Sequence, residues 1–226
     1  MKFTYYGHAC FAVEIKGKKL LFDPFITGNE LAKHIDINNI DADYILLSHA
    51  HGDHLADAEA IAKSTGAVIV AAYEIAMWYV QKGIEKYHPM NIGGKWTFDF
   101  GTVKCVNAVH SSQLPDGAYG GNPMGFVIIS DEINFYYSGD TALTLDMQLI
   151  PTFAEIDFAV LPIGDNLTMG IDDAIQAAKM IQTEVVIGVH YDTFGFIKID
   201  HQKAIENFKN HGIELKLLSI GETIDI

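Results

Sequence analysis

The sequence has little cysteine and little positive charge. Only Cys10 and Cys105 occur in 226 residues, in separate apolar runs and without C-x-x-C spacing. That excludes a disulfide framework and fits a reducing, cytoplasmic compartment. Acidic residues outnumber basic ones 29 to 15, for a formal net charge of −14. Such a surface is not drawn to a phosphate backbone or an anionic bilayer, so neither nucleic acid nor membrane is expected as a partner. No apolar run is long enough to span a bilayer, and the opening Met1-Lys2-Phe3-Thr4-Tyr5-Tyr6-Gly7 is not a signal region. No linker, composition shift, short repeat or low-complexity tract divides the chain, so residues 1–226 read as a single domain.

What is present is apolar patterning. Hydrophobic residues make up 49% and charged residues 19%, enough for one large core. Strands are predicted at 2–6, 10–15 and 18–22, with Lys16-Gly17 turning a hairpin between the last two. A surface loop with a short helix follows over 26–41. Beyond it come a strand at 43–47, a helix at 55–63, a strand at 66–71 and a helix at 72–82, which leaves Trp78 off the apolar stripe. After the Gly93-Gly94 break, strands are expected at 96–100, 102–109, 124–130 and 133–138. Helices at 141–149, 171–182 and 200–211 then alternate with strands at 157–162, 184–189, 214–218 and 222–226. Strands first and strand–helix alternation afterwards, twice over, imply a layered α/β architecture.

The densest chemistry lies in Ser48-His49-Ala50-His51-Gly52-Asp53-His54, where the order His-x-His-x-Asp-His falls between a strand and a helix. Imidazole and carboxylate crowded on one tight turn suit zinc, manganese or iron. Three further candidates, His110, Asp140 and His190, each follow a predicted strand. Binding groups collect at the carboxyl ends of strands, where loops converge. Seven ligands exceed one tetrahedral ion and suit two ions about 3.5–4 Å apart.

With these intervals the sequence resembles the metallo-β-lactamase superfamily, over essentially the whole chain and at all seven positions. The resemblance implies a four-layer αββα sandwich with a dinuclear site at one edge of its two sheets. It implies His49, His51 and His110 on one metal, Asp53, His54 and His190 on the other, and Asp140 bridging. Tyr6-Gly7-His8-Ala9-Cys10-Phe11, Gly121-Asn122-Pro123-x-Gly125, Leu161-Pro162-Ile163-Gly164, Thr168-Met169-Gly170 and His190-Tyr191-Asp192-Thr193-Phe194 are similar to one branch. That branch comprises small stand-alone metal-dependent hydrolases akin to ascorbate phosphate lactonase and the N-acyl phosphatidylethanolamine-hydrolysing phospholipase D. Asp192 departs from the branch, which usually has Asn there, and brings a charge toward the pocket.

The activity this implies is hydrolysis by a hydroxide shared between two divalent ions, zinc first, with manganese or iron as alternatives. The target is the carbonyl or phosphoryl centre of a lactone, amide or phosphodiester. Asp53 is expected to orient the hydroxide. His8, at the end of the first strand, is expected to contact substrate, donate a proton or support the site from behind. The substrate is a small molecule, and two ions would add about four positive charges that favour an anionic one. Loop 111–123 and segment 165–170 are expected to wall the pocket. Asp165, Asn166 and Thr141 are weaker candidates, with Thr141 reading as a helix cap. His34, His88, His201 and His211 are expected to bind nothing. A metal-binding sensor without turnover is the non-enzyme alternative. A di-iron redox protein on the same scaffold would prefer a carboxylate where His51 stands and a flavin domain beyond Ile226. Association into a homo-oligomer is left open.

Overall fold

The computed structural model describes residues 1–226. Its strands form two seven-stranded sheets. In the first, β1 (Lys2–Gly7), β2 (Cys10–Ile15) and β3 (Lys18–Phe22) pair antiparallel, and β4 (Tyr44–Leu46), β5 (Val68–Ala72) and β6 (Tyr87–Met90) continue in parallel. The second repeats the plan. There β7 (Lys95–Thr97), β8 (Thr102–Asn107), β9 (Met124–Ile129) and β10 (Asn134–Tyr137) are antiparallel, and β11 (Phe158–Pro162), β12 (Val185–Val189) and β13 (Glu214–Lys216) are parallel. The last strand, β14 (Thr223–Asp225), crosses back to pair with β1.

Strand alternation sorts the aromatic residues. Phe3, Phe11 and Phe22 stack across β1–β3, and Phe135 stacks on Phe158 in the second sheet. The two ladders meet edge to face: Phe22 on Phe135 at 5.8 Å and Phe11 on Tyr137 at 5.0 Å between centroids. Tyr136, one residue off, faces outward and is covered by the helix α4 (Ile171–Ile181) layer. Helices α2 (Ala58–Thr65) and α3 (Tyr73–Gln81) cover β5 on the opposite side, and α5 (His201–Asn210) packs beside β13. The four layers of an αββα sandwich follow. No helix is long and apolar enough to cross a membrane.

Four local departures from the sequence reading have physical causes. The helix expected at 55–63 is two: α1 (Gly52–Leu55) and α2 are separated at Ala56-Asp57. There the Asp57 carboxylate turns away to accept bonds from the Ile26 and Thr27 backbone N–H groups. The helix expected at 141–149 is a 3₁₀ segment, Leu145–Thr152. The Ala142 N–H donates to the Val109 carbonyl and the Thr141 hydroxyl accepts from the Val109 N–H, so neither residue starts or caps a helix. β7 stops at Thr97, because Phe98 and Gly101 close a turn on each other. Strand β6 has no counterpart in the sequence reading. It contains Pro89, and it is an edge strand, where a missing N–H is tolerated.

Candidate metal centre

All seven predicted ligands converge at one edge of the sandwich. β4 delivers Ser48 and His49. α1, opened by His51 at its N-cap position, presents Asp53 and His54 from its first turns. β8 leads to His110, β10 to Asp140 and β12 to His190. His8 and His190, both just past strand ends, adopt left-handed backbone angles, φ +54° and +57°. The His190 N–H donates to the His8 carbonyl at 2.8 Å and locks the two ends together.

The side chains fall into sets whose candidate ligand atoms lie within 4.8 Å of one another. One is His49, His51 and His110; the other is His8, Asp53, His54 and His190; Asp23 with His49 and His54 makes a third, fully buried grouping that shares one ring with each. Asp140 stands between them. Its Oδ2 lies 3.0 Å from Nε2 of His190, 3.3 Å from His54, 3.6 Å from His110 and 3.9 Å from His49.

Proton positions follow from the partners. Asp23 Oδ2 only accepts, so the Ser48 hydroxyl donates to it at 2.5 Å, Nδ1 of His54 at 2.8 Å and the Tyr137 hydroxyl at 2.6 Å. With its proton committed to Asp23, the Ser48 oxygen accepts from Nδ1 of His49 at 2.9 Å. Nδ1 of each ring is therefore protonated and Nε2 turns inward, that of His54 to 3.3 Å from Asp140, itself an acceptor, and that of His49 to 3.0 Å from Nδ1 of His51 and 3.9 Å from Asp140. Nε2 of His54 is buried without a hydrogen-bond partner. Lone pairs converging on a buried carboxylate repel unless a cation stands between them. A metal ion satisfies this arrangement, and the donor set of imidazoles and carboxylates with no thiolate fits zinc, manganese or iron.

Electrostatics divide the rings of the metal-free chain. Burial, with neighbouring His54, holds the His49 pKa well below its usual value, and burial likewise lowers His51 and His110. Neutral imidazole is the ligating form. Burial would also lower His54, but Asp140 and Asp23 on its two sides win and raise it, so without a metal a proton on Nε2 stands where a cation would. Burial opposes ionisation of Asp140, yet His54 and His190 keep its carboxyl well below the ordinary range.

His8 lies behind Asp53. Its Nε2–H donates to Asp53 Oδ2 at 3.0 Å, and its Nδ1 accepts from the Thr193 hydroxyl at 3.0 Å. Burial pushes its pKa down to about 4, so it is a neutral donor near pH 7. The Asp53 carboxyl, despite burial, is held well below its usual range by that bond and by His54.

The remaining candidates disperse. Thr141 joins the Asp140 segment to Val109, the residue before His110. Asp165 closes a local turn with Asn166 and Met169. Asp192 accepts from His201 and from the Ile199 N–H, so its charge is tied toward α5. His34 bonds the Ile220 carbonyl, His88 packs against Trp96 and Phe98, and His211 bonds the Asn207 carbonyl. Trp78 is half-buried and donates to Asp116 in loop 111–123. A concavity of about 530 Å³ between α4 and α5 is lined by Asp165, Asp172, Asp173, Asp200, Lys198 and Lys203 and contains none of the clustered ligands. Sequence reasoning missed Asp23 and Asp57. Asp23 comes directly after strand β3, and Asp140 three residues after β10, so a carboxylate past a strand end was the available signal.

Comparisons with known proteins point to metal-dependent hydrolases. A family model described as a beta-lactamase superfamily domain matches residues 2–190. The chain is similar to proteins named UPF0173 metal-dependent hydrolase: one from Flavobacterium johnsoniae at 56% identity, covering all of both chains, and one from Christiangramia forsetii at 58% with the same coverage. Among solved structures it resembles Igni18, a metallo hydrolase from the archaeon Ignicoccus hospitalis, at 35% identity and TM-score 0.89, covering 99% of this chain and 97% of that one. It also shares its fold with an isothiocyanate hydrolase from Delia radicum gut bacteria, at 20% identity and TM-score 0.79, covering 100% and 99%.

Proposed function

The chain belongs to the β-lactamase superfamily, among the UPF0173 metal-dependent hydrolases, and from that premise we propose that it uses two divalent cations, zinc first, to hydrolyse a small electrophilic molecule. His49, His51 and His110 would hold one ion, Asp53, His54 and His190 the other, and Asp140 would be shared. When bound, the ions supply Lewis acidity and bring the pKa of water from roughly 15.7 toward about 7. The candidate bonds are those of a lactone, an amide or a phosphodiester.

The chain's own residues divide the remaining work. Asp53 is ionised and its side chain is 24% exposed, so it faces incoming water and accepts a hydrogen bond from it. His8 fixes the carboxylate's orientation by donating to one of its oxygens. Asp23, on the far side of His54, fixes that ring's tautomer and direction. The hydrophobic shell beneath, including Leu47, Ala50 and Met124, keeps bulk water to one face. The two buried, unpaired thiols support a reducing, cytoplasmic setting.

The observation that carries this reading is Asp140 Oδ2 facing four imidazole Nε2 atoms, with the proton of His49 and that of His54 each committed to the opposite ring nitrogen. The test is metal analysis of the purified protein, then an activity screen of the reconstituted protein against lactones, phosphodiesters and β-lactams. About two ions per chain and turnover abolished in His51→Ala are expected. Equal rates for His51→Ala and the parent would defeat the metal mechanism, and oxygen consumption in place of hydrolysis would mark a redox protein.

A further inference from the structure

Beside the metal centre stands a row of aromatic rings that no part of the chemistry above requires. The Phe25 and Phe194 ring centroids lie 5.5 and 5.4 Å from that of His8, the residue that holds Asp53. Phe196 stacks on Phe194 at 5.8 Å with its planes 21° apart, and it is 60% exposed. The row therefore runs from buried Phe25, packed on His8 behind Asp53, through Phe194 outward to solvent at Phe196.

Each ring sits on anchored backbone. The segment after Phe25 is gripped by Asp57, whose carboxylate accepts from the Ile26 and Thr27 N–H groups at 2.6 and 2.9 Å and from the Thr27 hydroxyl at 2.5 Å. The segment carrying Phe194 and Phe196 is closed by Asp192, which accepts from the Ile199 N–H at 3.0 Å and from His201 at 2.6 Å. Thr193 joins this segment to His8. Two separate loops are thus held with their aromatic rings packed together beside His8 and Asp53, and a pre-formed apolar wall loses little entropy on binding.

Apart from the proposed cations, the same edge has no basic side chain to meet an anion. All 15 basic residues are lysines. They make their ion pairs with surface carboxylates such as Asp131, Asp43, Asp41 and Glu59, and none pairs with a residue of the centre. Lys198, two residues beyond Phe196, lines the acidic concavity between α4 and α5.

Resting on the hydrolase reading, we infer that Phe25, Phe194 and Phe196 form the specificity wall of the site and select a neutral substrate with an apolar acyl group beside the scissile bond. The expected preference is about fourfold in kcat/KM for each methylene that the wall covers.

The test uses full-length, metal-reconstituted protein and p-nitrophenyl esters from acetyl to hexanoyl. In the parent, kcat/KM climbs with chain length. In the Phe194→Ala/Phe196→Ala double variant the slope falls by half or more, and in Phe196→Ala, whose ring supports no core, it falls by a smaller amount. Calorimetry with hexanoate and acetate provides a readout without turnover: hexanoate binds the parent at least tenfold tighter than acetate, and the double variant loses most of that ratio. Metal-dependent turnover with a flat chain-length profile overturns the wall and spares the hydrolase reading. Absent ester turnover with hexanoate selectivity that the double variant loses sustains the wall and leaves the hydrolase reading to the lactone, amide and phosphodiester screen, whose failure alone overturns it. Equal binding of the two carboxylates overturns the wall, as does a Phe196→Ala variant that turns a dimer into a monomer in sedimentation while keeping its chain-length slope.

Discussion

The Asp23 carboxylate lies 2.8 Å from Nδ1 of His54, and both side chains are sealed from solvent. This pair holds the ring whose other nitrogen faces Asp140. It also joins the sheets, since Asp23 follows β3 and accepts from Tyr137 of β10. Asp23→Asn keeps the shape but removes the charge. Bound-zinc affinity is expected to fall about 10–100-fold, the usual cost of losing a ligand's outer partner. Asp23→Ala leaves His54, Ser48 and Tyr137 without their acceptor and is expected to cost about 3–5 kcal/mol of stability. Chelator competition and urea unfolding separate the two effects. Unchanged zinc affinity in Asp23→Asn would show that the ring needs no such support.

Removal of metal should be visible in stability alone. The cluster is folded around converging acceptors, so a bound cation relieves repulsion that the metal-free chain must retain. At free metal about 1,000-fold above the dissociation constant, binding adds about 4 kcal/mol. For a chain of this size that corresponds to a rise of roughly 10 °C in Tm. Calorimetric scans with EDTA and with zinc check it, and His110→Ala should reduce the increment. A Tm indifferent to zinc would count against a metal centre.

How much of this was legible beforehand depends on whether a residue's partners are local. His49, His51, Asp53 and His54 share one turn, and His110, Asp140 and His190 each follow a strand that its own apolar run announces. The Asp23 role was hidden because its acceptors' donors, Ser48, His54 and Tyr137, lie 25, 31 and 114 residues away. Likewise the apolar pattern at 141–149 suits a helix, but long-range bonds from Thr141 and Ala142 to Val109 override it. Strand β6 escaped for the opposite reason: Pro89 speaks against a strand, and only its place at a sheet edge makes the exception. The layered α/β plan was legible in the repeated succession of strands and helices, but the return of β14 to the edge of the first sheet was not. Nor was the aromatic row beside His8, because it joins residues from two loops whose conformations are set by Asp57 and Asp192.

His8 makes a prediction about acid stability in the metal-stripped protein. Its pKa is lowered to about 4 by burial, below the value of 6.5 that it has when exposed. A depressed histidine binds its proton more readily in the unfolded chain. Its share of stability is therefore present above pH 6.5 and is lost as pH falls from 6.5 toward 4. The loss is on the order of 3 kcal/mol across that window. Asp53 titrates below it, and the raised His54 acts above it. Urea unfolding in EDTA at half-unit pH steps should show the parent losing stability faster than His8→Asn by one proton's slope between pH 6.5 and 4. Parallel curves would mean that His8 is protonated in the folded state.

Two glycines test whether the centre depends on its motif or on its surroundings. Gly52 lies inside the histidine run, yet a Cβ added there would meet nothing within 4 Å. Gly164 lies outside it, just past β11, and a Cβ there would come within 2.1 Å of the His190 carbonyl oxygen and 3.0 Å of Ile197 Cβ. The carbonyl is backbone on a strand end already in a left-handed conformation, so it cannot rotate aside as a flexible side chain could. Gly164→Ala must shift His190, and a displacement near 1 Å at a catalytic group costs about 100-fold. The expected result is a folded protein with zinc at the His190 side weakened and turnover down about 100-fold. Gly52→Ala should retain both within about twofold, since alanine is a better helix former than glycine. Zinc stoichiometry and kcat/KM for the two variants, measured together, decide it: a tolerant Gly164→Ala would place His190 outside the working centre.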